Sequence, residues 1–77
     1  MNRPSRVDFT AHADEQASVR GINPSQVAEF VLAEHPRRRR NPGLADWVVR
    51  GRGIGVAYNW PVDGDQTTAL VVTVWAE

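Results

Sequence analysis

Two prolines, Pro36 and Pro42, bracket the run Arg37-Arg38-Arg39-Arg40, and the periodicity of the chain changes across them. Before Pro36 apolar residues recur at helical spacing; after Gly43 they alternate. A chain that changes period in this way reads as helices followed by strands, which makes the expected fold class α+β.

The helical half holds two segments. Thr10 is a capping residue, Asp14 and Glu15 sit where the helix dipole favours negative charge, and Gly21 ends the pattern. These signals predict a helix over residues 11–20, with Phe9, Ala13, Ala17 and Val19 available for burial. Asn23 followed by Pro24, with Gln26 at capping-box spacing and Ile22 and Val27 at the spacing of a hydrophobic staple, predicts a second helix over 24–35. Val27, Phe30 and Val31 form its apolar stripe. Pro36 stops it, because the residue before a proline is pushed towards extended geometry. Residues 1–8 are read as a loose tail and 9–77 as one domain, with a basic connector over 36–45.

The remainder predicts a β-meander over 46–76. Its strands are 46–50, 54–60 and 68–76, joined by a tight turn at Gly51-Arg52-Gly53 and a loop containing Asp63-Gly64. The expected architecture is two N-terminal helices followed by a three-stranded or four-stranded antiparallel sheet. Pairing Ile54 with Val74, Val56 with Val72 and Tyr58 with Leu70 gives one apolar face for the helices. The opposite face then carries Gly55, Ala57 and Asn59 beside Val71, Thr73 and Trp75, a shallow depression. Whether Trp47 joins it depends on the length of the first turn.

A chain of 77 residues holds one domain with a few kcal/mol of net stability. It has no cysteine and only two histidines, so no disulfide, metal site or cofactor is expected. No apolar run approaches the roughly 18 residues of a membrane span, and the first residues lack a signal peptide's apolar segment. The expectation is a cytoplasmic protein without a membrane partner. All nine basic residues are arginine, the bias of a GC-rich genome. Net charge is zero, but residues 35–52 carry six arginines against Asp46 alone, net +5. A local field therefore survives the neutral total.

Two groups of residues can carry chemistry. His12, Gln16 and Arg20 recur at four-residue spacing, which places an imidazole, an amide and a guanidinium on one flank of the first helix. An imidazole near a helix N-terminus suits a general base, and an arginine binds phosphate bidentately. The same spacing is also that of the solvent side of an amphipathic helix. Thr73, a hydroxyl within a run of valines, can orient a phosphate or simply suit a half-exposed strand. Arg37, Arg38, Arg39 and Arg40, with Arg50 and Arg52, form the basic group. In an extended run alternate side chains point apart, so about half of the four can meet one docked backbone. The alternative is a solvated connector paired with Glu29, Glu34 or Asp46. Trp47, Tyr58, Trp60 and Trp75 can stack on bases or fill the core. Gly51 to Gly55 forms a turn entering a strand, which is not a phosphate-binding loop.

The segments His12-Ala13, Arg20-Gly21-Ile22, Asn23-Pro24-Ser25-Gln26-Val27 and Val71-Val72-Thr73-Val74-Trp75, in this order, resemble a small bacterial and phage domain family of unassigned function. That family is grouped with RelE-like messenger interferases and colicin-type tRNA nucleases in the barnase, EndoU, colicin and RelE superfamily. The resemblance spans Phe9 to Trp75 and implies a RelE-like fold and a toxin-type protein, acting as a metal-independent ribonuclease on ribosome-associated messenger or on tRNA. It casts His12 as general base or acid, Arg20 as phosphate stabiliser and Thr73 as the orienting hydroxyl. The family usually places an arginine where this chain has Gln16. The implied partners are RNA or the ribosome. The alternative is a non-enzymatic protein on the same fold that binds a host protein or a cognate antitoxin. A homodimer through a sheet edge is a further expectation.

Overall fold

The computed structural model describes residues 3–77. Two helices and five strands follow in the order β1 (Arg6–Phe9), α1 (Ala11–Val19), α2 (Pro24–Glu34), β2 (Arg39–Arg40), β3 (Trp47–Gly51), β4 (Ile54–Asn59) and β5 (Thr68–Ala76). The strands form one mixed sheet in the order β1-β5-β4-β3-β2, with β1 parallel to β5 and every other pair antiparallel. The α+β class stands, and so does the antiparallel meander of three strands.

Two expectations about architecture are corrected. Residues 6–8 of the expected loose tail form a strand together with Phe9, so the described chain opens on β1 and not on a helix. Residues 1 and 2 of that tail lie outside the described residues. Val7 and Phe9 pack against the core, while Arg6 and Asp8 pair with each other at 3.0 Å on the outer side. The expected connector is also structured: His35–Arg37 form a single 3₁₀ turn and Arg39–Arg40 form β2 against β3. The sheet is therefore five-stranded and mixed.

The helix starts follow from their caps. Thr10 Oγ1 accepts from the Ala13 N–H at 3.1 Å, and Asn23 Oδ1 accepts from the Ser25 N–H at 2.8 Å. Ile22 packs on the cluster that contains Val27, the staple contact. Val27, Phe30 and Val31 of α2, with Ala13 of α1, close one core with Val49, Val56, Tyr58, Trp60, Ala69, Val71 and Val74.

The register of β4 on β5 is offset from the expected one. Ile54 faces Ala76, Val56 faces Val74 and Tyr58 faces Val71. The difference is a β-bulge: Ala57 pairs with Thr73 and Tyr58 with Val71, so Val72 has no partner on β4. The extra residue lets Val71 and Val74, which a regular strand would place on opposite faces, both enter the core. It also turns the Val72 carbonyl towards α1, where the Thr10 hydroxyl donates to it at 3.3 Å.

The β3–β4 hairpin settles the position of Trp47. Gly51 pairs with Ile54, and the two turn residues Arg52 and Gly53 have φ of 53° and 79°, the two-residue turn that matches sheet twist. Trp47 then pairs with Tyr58 and faces the core side, away from Gly55 and Trp75.

Candidate nucleic-acid interface

Alternation along the arginine run separates its four side chains. Arg38 turns inward: its guanidinium lies 4.2 Å from the centre of the Trp47 ring and 5.3 Å from that of Trp60, and it donates to the His35 carbonyl at 3.1 Å. Arg40, two residues on, lies on the same side at 5.1 Å from Trp47. Trp47 is fixed beneath them by an Nε1–H bond to the Trp60 carbonyl at 2.8 Å.

Below this layer His35 is 2% exposed, shares a 2.7 Å hydrogen bond through Nδ1 with the Tyr58 hydroxyl, and sets its ring edge-on to Trp60 at 4.6 Å. Burial, with Arg38 and then Arg3 adding like charge, holds the imidazole neutral and lowers its pKa to about 4. Burial also raises the Tyr58 phenol well above its ordinary range. His35, Arg38, Trp47, Tyr58 and Trp60 are thus a packed knot. Within it, Arg38 is a half-buried cation whose guanidinium is engaged by aromatic faces.

Arg39 points the other way. With Arg37, Arg50, Glu34, Val48 and Val49 it lines a depression of about 250 Å³ at the β3 edge of the sheet. Three guanidiniums and one carboxylate surround it. Arg37 meets Glu34 at 3.8 Å and Arg50 meets Glu77 at 3.5 Å, while Arg39 has no ion-pair partner among the described residues. Both pairs are long and their arginines are exposed, so they hold these side chains weakly.

Arg52 belongs elsewhere. Its guanidinium lies 5.6 Å from the Phe30 ring over a second depression of about 430 Å³, whose floor is Ile22, Phe30 and Ile54 and whose rim carries Gln26 and Glu29. The basic group of the sequence is therefore three arrangements: Arg37, Arg39 and Arg50 around one depression, Arg38 and Arg40 on Trp47, and Arg52 over Phe30.

The remaining site residues lie around α1. His12 and Arg20 are exposed, and Arg20 Nε donates to Gln16 Oε1 at 3.3 Å along the helix flank. Thr73 pairs with Ala57 in the sheet, next to the bulge residue Val72. The Thr10 hydroxyl bond to Val72 anchors the start of α1 beside β5, but Thr73, opposite Ala57, lies on the sheet face turned away from the core that α1 covers, so His12 and Thr73 are not brought together. Arg20 is eight residues along α1 from His12, about 12 Å at the rise of a helix. None of the three lines the arginine depression.

Sequence reasoning missed His35 as the centre of the buried knot; its one signal was its place just before Pro36, at the end of the apolar stripe. Among the described residues no group of three His, Cys, Asp or Glu side chains is placed to hold a metal, and no helix is long and apolar enough to cross a membrane. Leu44, 96% exposed, is the most exposed large apolar residue described. No family model, no curated protein and no solved structure matches this chain.

Proposed function

We propose that this protein binds RNA through its phosphate backbone, with Arg37, Arg39 and Arg50 as the phosphate contacts. The observation that carries the reading is the split of the arginine run, which sends Arg39 into a depression shared with Arg37 and Arg50 while Arg38 is used in the core. Guanidiniums held around one concave surface suit bidentate contact with phosphate oxygens. Such contacts are sequence-independent and release counterions, so they operate in a chain of zero net charge wherever the local field is positive. Binding of a labelled single-stranded RNA by fluorescence anisotropy tests this. Arg39→Ala is expected to weaken binding several-fold with no loss of fold; wild-type affinity in Arg39→Ala and Arg50→Ala would overturn the assignment.

A second reading, metal-independent cleavage of RNA, rests on the exposed imidazole and guanidinium of His12 and Arg20 on one flank of α1. In that chemistry His12 takes the proton of a ribose 2′-hydroxyl as its oxygen attacks the adjacent phosphorus, the P–O5′ bond breaks, the 5′-oxygen leaves with a proton from water, and a 2′,3′-cyclic phosphate remains. Arg20 would stabilise charge on the phosphate from the other end of the flank, with Gln16 between them. RNA 5′-end mapping after expression of wild type and His12→Ala separates the two readings. New ends in wild type that vanish in His12→Ala support cleavage; intact RNA in both leaves binding without catalysis.

A further inference from the structure

The chain has six aromatic residues, and five of them, Phe9, Phe30, Trp47, Tyr58 and Trp60, lie in or against the core. Trp75 does not. It sits on the opposite face of the sheet, paired with Gly55. Its indole lies directly over that glycine: a Cβ on Gly55 would overlap Cε2, Cζ2 and Nε1 of the ring at once. The ring is therefore laid flat on the backbone and not stood on edge, and part of its surface remains exposed. Its polar atom is satisfied, since Nε1–H donates to Glu77 Oε2 at 2.9 Å. What remains is a partly exposed π face with the Arg50 guanidinium over it.

That face adjoins the arginine depression. The Arg50 guanidinium, which lines the depression, lies 5.9 Å from the centre of the Trp75 ring, and Glu77 touches both side chains. A flat aromatic surface beside a phosphate-binding concavity matches the chemistry of one nucleotide, whose base and phosphate are separate groups on one short unit. A base can lie on the ring only if it is unstacked from its neighbours, which a duplex does not offer.

We infer that Trp75 is a stacking platform for one base of a single-stranded RNA whose phosphate is held by Arg39 and Arg50. This rests on the RNA-binding reading above and narrows it from RNA in general to unpaired strands. Glu77 has two opposed parts in it. It fixes the ring through the indole N–H, and its negative charge occupies Arg50 until a phosphate displaces it.

The test uses the intact protein and three ligands of equal length: a single-stranded RNA, its duplex, and an all-abasic ribose-phosphate strand. Wild type is expected to bind the single strand about tenfold more tightly than the abasic strand, and more tightly than the duplex. Trp75→Ala should lose that preference and leave affinity for the abasic strand and its salt dependence unchanged, whereas Trp75→Phe should keep most of it. Glu77→Gln, which keeps the acceptor for the indole and removes the charge, should bind the single strand several-fold more tightly. Equal wild-type binding of all three ligands, still weakened by Arg39→Ala, overturns the platform while the phosphate reading stands. Absence of binding to any of them overturns both.

Discussion

At the scale of single residues, adjacent arginines in one run have opposite employment. Arg38 lies against two indoles and donates to the His35 carbonyl, while Arg39 lines an open depression. Arg38→Ala should therefore destabilise the fold by about 1–3 kcal/mol, through lost cation–π contact and lost packing of its stem. Arg39→Ala should fall within about 0.5 kcal/mol of wild type. Thermal denaturation of the two variants checks this, and the order of the two is the informative result. His35 makes stability depend on pH. The unfolded chain takes up a proton near the ordinary value of about 6.5, but the folded one does so only near 4, because burial and the Arg38 and Arg3 charges oppose it. Between those values the unfolded state binds more protons, so stability is full above that window and falls as the pH drops through it. The melting temperature should decline from pH 7 to pH 5 in wild type, and His35→Gln should flatten that decline whatever its absolute stability. An equal decline in the variant would remove His35 as its cause.

At the scale of elements, the pairing of Gly55 with Trp75 makes β4 intolerant of a side chain at one position. Gly55→Ala must displace the indole and is expected to cost about 1–3 kcal/mol. It should also shift the emission of Trp75, which Trp75→Phe would identify by difference; an unchanged spectrum and melting curve would show that the ring does not lie on Gly55. The elements were legible where local signals were strong. Thr10 and Asn23 mark both helix starts within one residue, and the alternation of residues 47–59 defines β3 and β4. β1 was not legible: Val7 and Phe9 are only two apolar positions, and their strand exists because Thr68 to Val71, at the far end of the chain, pairs with it. The bulge was hidden for a different reason. In Val71-Val72-Thr73-Val74 apolar residues fill both parities, so the pattern holds no mark of where the strand changes face. The arginine run showed that its side chains must alternate. Which half turns inward depends on the face that Trp47 takes, and the two-residue turn at Arg52-Gly53 decides that.

At the scale of the whole molecule, neutrality conceals a separation of charge that the fold preserves in part. Arg37, Arg39 and Arg50 come from the 3₁₀ turn, β2 and β3, and meet only because β2 pairs back on β3. On the other side of the sheet order, at β1 and the loop before β5, Asp8, Asp63 and Asp65 line a depression with Arg6. Asp65 is held ionised there, mainly by the Thr67 hydroxyl and N–H that donate to it. A polyanion approaching this molecule would be drawn to one edge and repelled from the other. If Arg39 and Arg50 neutralise phosphates at the basic edge, the salt dependence of single-stranded RNA binding in wild type and in Arg39→Ala/Arg50→Ala reports it directly. Each lost contact should reduce the slope of log K against log salt by about 0.7, so the double variant should be shallower by about 1.4 and weaker at low salt. An unchanged slope with unchanged affinity would show that neither arginine meets a phosphate.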